Sequence, residues 1–320
     1  MKNFSKILFC KILIIFFTNN IPAQQITFNK VYDFAPSSVM YSRAFSVLQT
    51  VDTGYVLAGS ITNKVGTQWN TDVLIIKTNK YGDTLWTKTY GGGLRDYAQD
   101  IQKTSDGGYI VAGRRDYYVD MVNFFMYGDI WILKLDQNGD TLWTKTYGGP
   151  YNDYANSIKQ TSDGGYILCG TKDSYKINVL GDIWVLKLDQ NGDTTWTKTY
   201  HFTNYVSEAN QVFETNLGYY YMVGSSAAGS SSISDILIIK LQNNGDSIWC
   251  KKLTGYIGKD IIQLEDSNIV VAGRGNTGGL LYKLNKDGNI IWVKNCPPDQ
   301  GFYYQINSLT LDADENIILA

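Results

Sequence analysis

The sequence predicts an all-β fold made of a repeated four-stranded sheet, and three observations predict it. Five tryptophans, Trp86, Trp143, Trp196, Trp249 and Trp292, recur in one local context at spacings of 57, 53, 53 and 43 residues, which is the period of an array of supersecondary units. The composition, with 24 tyrosines and 31 glycines against 5 prolines, suits strands and tight turns. No 3.6-residue apolar period follows the first apolar run.

That first run reads as a secretory signal over residues 1–23. Lys2 and Lys6 form a basic start, Ile7 to Phe17 is apolar except for Lys11, and Ala23 offers a small residue before cleavage. The run is too short to span a bilayer, so no membrane span is expected after signal removal. Cys10 follows Phe9, which is bulky for a lipidation site. Residues 24–320 form the repeat domain. Its three cysteines, Cys169, Cys250 and Cys296, are odd in number and far apart, and they read as small buried hydrophobes rather than a disulfide framework.

Each repeat holds four strand-like segments, clearest in the second. "DYAQDIQKT" (Asp96 to Thr104) leads through "SDGG" into "YIVAG" (Tyr109 to Gly113). A loop of variable length then reaches "DIWILKLD" (Asp129 to Asp136), and "QNGD" turns into "TLWTKTY" (Thr141 to Tyr147). The third segment is apolar on both faces, as in a strand covered on both sides. Asn-Gly favours a two-residue type I′ hairpin, which sets Lys134 opposite Trp143. The same rule pairs Lys77 with Trp86, Lys187 with Trp196, Lys240 with Trp249 and Lys283 with Trp292. Each lysine stem is expected to lie on its indole, with the ammonium able to reach the ring face.

Four strands per repeat with short links predict a β-propeller of four-stranded blades. The tight turns join neighbouring strands, and the longer "GGGLRDYA" and "GGPYNDYA" links cross to the next blade. "DYAxxIxxT" is therefore innermost and the tryptophan strand outermost. "ITFNKVYDF" (Ile26 to Phe34) resembles a lone outer strand that could close the ring. "INSLTLDADENIILA" supplies only two inner strands of a sixth unit. The expectation is five complete blades plus a partial sixth, in a chain that reads as C-terminally incomplete.

The pattern "GGxxxDxAxxIxxTxDGGYIxAG…DxWxxKxDxNGDxxWxKTYGG" resembles secreted bacterial repeat proteins that form β-propellers, of the kind often carrying a type IX secretion sorting domain. The resemblance covers Ile26 to Ala320 and is strongest from Asp72 to Tyr200. It implies export to the medium or the cell surface, with type IX secretion as the suspected route, although no C-terminal sorting domain is present in the sequence. The layout is also similar to quinoprotein propellers, but the adjacent cysteine pair of their quinone site is absent. "TSDGG" (Thr104 to Gly108) partly resembles the Asp-box of sialidases, without the tryptophan that usually follows it.

The formal net charge of −2 points away from nucleic acid. His201 is the single histidine, which excludes a two-histidine copper site and any HExxH zinc motif. No GxSxG elbow accompanies it. "DQNGD" (Asp136 to Asp140) lacks the glycine and glutamate positions of a calcium loop and reads as a turn. No metal and no cofactor are expected. Asp96, Asp153 and Asp260 read as recurring at the start of the inner strand, with Ser207 in blade four and Arg43 in blade one. Such aspartates either bond turn amides or meet a polar ligand. The loops before the third strands vary most and carry Trp69, Tyr117, Tyr118, Phe124, Phe125 and Tyr175. These aromatics either contact a ligand or pack together. The sequence thus favours a non-enzymatic, monomeric binding or surface-interaction module for a glycan or extracellular protein. The alternative is an extracellular glycan-active hydrolase using Asp96 and Asp153.

Overall fold

The computed structural model describes residues 30, 32, 39–65, 68–120, 125–174, 181–202, 205–228, 234–275, 278–296, 305–312 and 316–320. The proposed signal over 1–23, and the lone strand over 26–34 apart from Lys30 and Tyr32, lie outside them. Every described element is a strand, so no described helix is long and apolar enough to cross a membrane.

The chain divides into two compact units. The first, up to Ile158, contains an antiparallel sheet β1 (Val39–Gln49), β2 (Tyr55–Val65), β3 (Gln68–Thr78), β4 (Thr84–Tyr90). A second sheet follows: β5 (Arg95–Lys103), β6 (Tyr109–Asp120), β7 (Phe125–Leu135), β8 (Thr141–Tyr147). Most of β9 (Asn152–Gln160) also belongs here. Single parallel bridges, Thr71 to Arg95 and Gly128 to Asn152, stitch each third strand to the next first strand.

The second unit holds β10 (Tyr166–Ser174), β11 (Asp182–Leu188) and β12 (Thr194–Tyr200). It also contains the sheet β13 (Tyr205–Glu214), β14 (Tyr220–Ala228), β15 (Ser234–Leu241), β16 (Ser247–Thr254). A further sheet comprises β17 (Ile257–Gln263), β18 (Ile269–Gly275), β19 (Gly278–Leu284), β20 (Ile290–Cys296), and the pair β21 (Leu309–Leu311) and β22 (Ile317–Leu319) completes the unit.

Sheets pack face to face through alternate residues of their middle strands. Val56, Ala58, Val73 and Ile75 of the first sheet meet Ile101, Val111 and Leu133 of the second. In the second unit, Val223, Ile236 and Ile238 likewise meet Ile261, Val271 and Leu280. Cys169 is buried as expected, but Cys250 is exposed and Cys296 half-buried, because both lie on outer strands.

The hairpins differ from the sequence expectation in an instructive way. Gly139 donates its N–H to Asp136 O at 3.1 Å, and Asp136 N–H reaches Asp140 O at 2.9 Å. Gly139 has φ +79 and Asn138 stays at negative φ. This is a three-residue loop with a type I turn and a left-handed glycine, not a two-residue type I′ turn. A bulge between Lys134 and Leu135 then skips Leu142, and the two departures cancel. Lys134 faces Trp143, and Lys77–Trp86, Lys187–Trp196, Lys240–Trp249 and Lys283–Trp292 share that register.

The lysine ammonium does not go to the indole. Lys77, Lys134, Lys187 and Lys283 reach the aspartate of the preceding turn, at 2.8 Å (Asp52), 2.7 Å (Asp106), 2.8 Å (Asp163) and 3.0 Å (Asp266). A carboxylate is the stronger partner for a nearly buried ammonium. In the turn between β13 and β14 Leu217 stands in the aspartate's place. Lys240 there bonds Lys286 O at 3.2 Å and lies over the rings of Tyr219 (4.9 Å) and Tyr221 (5.3 Å). Burial holds its amine below the usual lysine range. Leu217→Asp should restore the ion pair, remove an exposed leucine and stabilise the protein by about 0.5–1 kcal/mol, read as a higher urea midpoint.

The tryptophan strand instead grips the next sheet's turn. Trp86 covers Gly139, Lys88 pairs with Asp140 at 2.6 Å, and Tyr90 OH donates to Gly139 O at 2.5 Å. In the second unit Trp196 covers Gly245 and its indole N–H reaches Asn243 O at 2.9 Å. Lys198 pairs with Asp246 at 2.7 Å, and Tyr200 OH bonds Gly245 O. The repeated string therefore encodes one contact made in two parts: "NGD" supplies the surface and "WxKxY" of the preceding repeat covers it.

Candidate functional site

The variable segments of the first unit are largely strand rather than loop. β2 and β3 continue to Val65 and Gln68, and β6 and β7 to Asp120 and Phe125, because aromatic and β-branched residues extend the hairpins. Trp69 sits on one ribbon, 40% exposed, opposite Lys64, whose ammonium is 5.8 Å from its ring centre. Tyr118 sits on the other, 43% exposed on one side and stacked on Tyr127 at 4.6 Å on the other. Phe124 and Tyr175 lie outside the described residues, as does the side chain of Phe125.

Asp96 and Asp153 do recur, both fully buried. Asp96 accepts the N–H groups of Gly92 at 2.9 Å and Asp116 at 2.8 Å, and Asp153 accepts Gly149 N–H at 2.8 Å. Each is joined by an aspartate within the third strand, Asp72 or Asp129, that sequence reasoning passed over. A β-carbon on Gly91 would stand 2.3 Å from Asp72 Oδ1 and 2.6 Å from Asp96 Oδ2. One on Gly148 would stand 1.9 Å from Asp129 Oδ1 and 3.0 Å from Asp153 Oδ2. The first glycine of each "KTYGG", Gly91 and Gly148, is thus required by two carboxylates. Burial pushes the Asp72, Asp96 and Asp129 carboxyls up.

Asp260 belongs to a different set. It faces Ala272 across the bulge, as Asp100 faces Ala112, so it is the counterpart of Asp100 and not of Asp96. The first sheet likewise presents Ser42, not Arg43, at the Asp96 position, since Ala44 faces Gly59 as Ala98 faces Gly113. The distance to the following turn separates the two sets: Asp260 and Asp100 stand four residues before Leu264 and Thr104, whereas Asp96 and Ser42 stand eight before Thr104 and Thr50. These bulge residues tie one inner strand to the next. Asp100 accepts Ser46 Oγ at 3.1 Å and Ile158 N–H at 3.0 Å, and Asp260 accepts Gln211 Nε2 at 3.1 Å and Leu309 N–H at 2.7 Å.

His201 takes the place of Gly91 and Gly148 after β12, and its Nδ1 lies 2.7 Å from Asp182 Oδ1. The nearby Ser207 hydroxyl is fully buried with no hydrogen-bond partner, so it is not presented as a nucleophile. Among the described residues no group of three or more His, Cys, Asp or Glu side chains is placed to hold a metal ion.

What the first unit does bring together is an arginine–tyrosine cluster. Arg114 follows "VAG" on β6 and faces Tyr97 on β5, one register row from Arg95 opposite Tyr117. Its guanidinium carbon lies 3.6 Å from the ring centre of Tyr117, 5.1 Å from Tyr97 and 5.9 Å from Tyr154. Its Nη1 donates to Asn152 Oδ1 at 3.2 Å. Gly128 lets the stem pass, since a β-carbon there would stand 3.0 Å from Arg114 Cδ. Arg115 lies over Trp131 at 4.9 Å and Arg43 over Tyr41 at 5.4 Å. Of the aromatics named from sequence, only Tyr117 enters this cluster among the described residues. The missed signal was compositional: four of the five arginines fall between residues 43 and 115.

No family model matches the chain, and no curated protein does. Solved structures do resemble it. The Dos1 propeller aligns with a TM-score of 0.50 at 11% identity over 86% of this chain, which spans 65% of the length of that propeller. A protein of unknown function from Dyadobacter fermentans aligns with a TM-score of 0.51 at 15% identity, over 79% of this chain and 81% of its own. At such identities the likeness speaks for fold alone, and that fold is the β-propeller expected from the four-stranded repeats.

Proposed function

We propose that the protein is an exported β-propeller binding module and that its ligand meets the arginine–tyrosine cluster of the first unit. The observation that carries this reading is the Arg114 guanidinium set against Tyr97, Tyr117 and Tyr154. Planar groups fixed on strands make contacts at low entropic cost. The apolar start and Ala23 support export to the medium or the cell surface, by the type IX route that the repeat resemblance implies, and the bacterial repeat pattern supports ring closure by the segment at 26–34. Asp96 and Asp153 hold backbone amides and are inaccessible, so the module reading is preferred to a hydrolase. Glycan-array binding followed by a reducing-sugar release assay tests this. Binding without release is expected. Release abolished by Asp153→Asn would overturn the reading.

A further inference from the structure

Four described turns carry their own acid for the repeat lysine they face, and a fifth does not. Asp52, Asp106, Asp163 and Asp266 lie 2.8, 2.7, 2.8 and 3.0 Å from Lys77, Lys134, Lys187 and Lys283. In the first three a threonine hydroxyl and a glycine N–H complete the cradle. Thr104 and Thr161 donate to the carboxylate at 2.5 and 2.6 Å, and Gly108 and Gly165 at 3.0 and 2.9 Å. Thr50 and Gly54 serve Asp52 alike. The turn between β13 and β14 keeps the threonine, Thr215, opposite Lys240, but puts Leu217 where the aspartate would be. Leu217 is 78% exposed, and Thr215 Oγ1 accepts Tyr219 N–H at 3.0 Å instead of donating to an acid. Lys240 forms no ion pair among the described residues. Its ammonium is left to Lys286 O at 3.2 Å and the rings of Tyr219 at 4.9 Å and Tyr221 at 5.3 Å.

A carboxylate is a stronger partner for an ammonium than a ring face or a single carbonyl, which replace it only in part. Lys240 is also more open than its counterparts: Lys77, Lys134 and Lys187 are buried, whereas it is half-buried. Two charged groups of the next turn, Asp287 and Lys286, act on its amine with opposite sign. Burial is the largest influence and disfavours the charged form, so an added carboxylate relieves it. The Tyr219 ring, 37% exposed and 4.9 Å from the ammonium, offers a flat apolar surface beside the charge. We infer that Lys240 and Tyr219 form a site for a small carboxylate carried on an aromatic or apolar body, whose acid group supplies what Asp163 gives Lys187. The site belongs to the second unit and does not depend on the arginine–tyrosine reading above.

The experiment titrates phenylacetate and its neutral amide, phenylacetamide, into the full chain by calorimetry. The acid is expected to bind at least about tenfold more tightly than the amide, and to weaken as sodium chloride is raised. Leu217→Asp gives the same ammonium an internal carboxylate and is expected to abolish that preference while keeping the fold. Lys240→Met should abolish it as well. Phenylacetate is also expected to bind more tightly than acetate, and Tyr219→Ala to remove that difference. Equal affinity for acid and amide would overturn the inference, as would no binding of either. A preference that survives in Leu217→Asp would overturn it too, because the carboxylate would then bind elsewhere. A phenylacetate–acetate difference that persists in Tyr219→Ala would overturn the part given to Tyr219. The glycan array reads a different set of residues, so its failure and this one are told apart.

Discussion

Trp86→Ala is expected to destabilise the protein by about 3 kcal/mol, and Gly139→Ala by about 2–3 kcal/mol, while the double variant costs less than their sum. Trp86 is half-buried against the cluster of Val56, Ile75 and Ile101, and it also roofs the next turn. Alanine at 139 meets two obstacles. It must adopt φ near +79, which costs an L-residue about 1–2 kcal/mol, and its β-carbon would lie 2.9 Å from Trp86 Cη2. Removing the indole abolishes the second obstacle and leaves the first. A coupling of about 1 kcal/mol should therefore appear in a urea-unfolding cycle. An unchanged midpoint for Trp86→Ala would instead make the tryptophans a surface row with no packing role. Strict additivity would mean that indole and glycine do not meet.

The sequence made the sheets legible because strand and turn signals are local. "SDGG" and "QNGD" each act within five residues, and the lysine–tryptophan register follows from them even though the turn type was misread. Contacts between repeats were harder to see. Trp86 and Gly139 lie 53 residues apart, and only the folded arrangement shows that they touch. The distinction between Asp96 and Asp260 was hidden because the fifth repeat has no "DYA" string to align on; counted back from the turn, Asp96 stands eight residues before Thr104 and Asp260 four before Leu264. The arginine cluster was least legible. Arg114 and Tyr97 are cross-strand neighbours, but Tyr154 and Asn152 come from the next repeat, and no periodic pattern marks them. Repetition in a sequence reports what every sheet needs, and a binding surface is by its nature what one sheet does differently.

Asp163→Ala is expected to be as costly as the tryptophan variant relative to its size, at about 2–3 kcal/mol, and more costly than Lys187→Met. The Lys187 side chain is only 5% exposed, and Asp163 meets its ammonium with both oxygens, at 3.0 and 2.8 Å. Without the carboxylate, the ammonium keeps Leu188 O at 3.2 Å as its remaining bond, and Gly165 N–H and the Thr161 hydroxyl also lose an acceptor. Lys187→Met removes the buried charge itself and leaves an aspartate that is 62% exposed and readily hydrated. The same turns set the acid limb of stability. The Lys77 hydrogen bond holds Asp52 at about 2 against an ordinary 3.8. At Asp106 and Asp163 burial works the other way, but the bonds from Lys134 and Lys187 prevail and again give about 2. The unfolded chain therefore takes up these protons first. Their contribution is complete above about pH 4 and is lost as pH falls toward about 2. Asp72, Asp96, Asp129 and Asp260 are raised by burial and act oppositely, favouring the folded state as they protonate. Urea midpoints should rise slightly on mild acidification and then fall steeply below about pH 4, with a shallower fall in Asp163→Ala because one proton-linked group is gone. A wild-type profile that stays level from pH 4 to pH 2 would show that the lysine–aspartate pairs do not hold the turns.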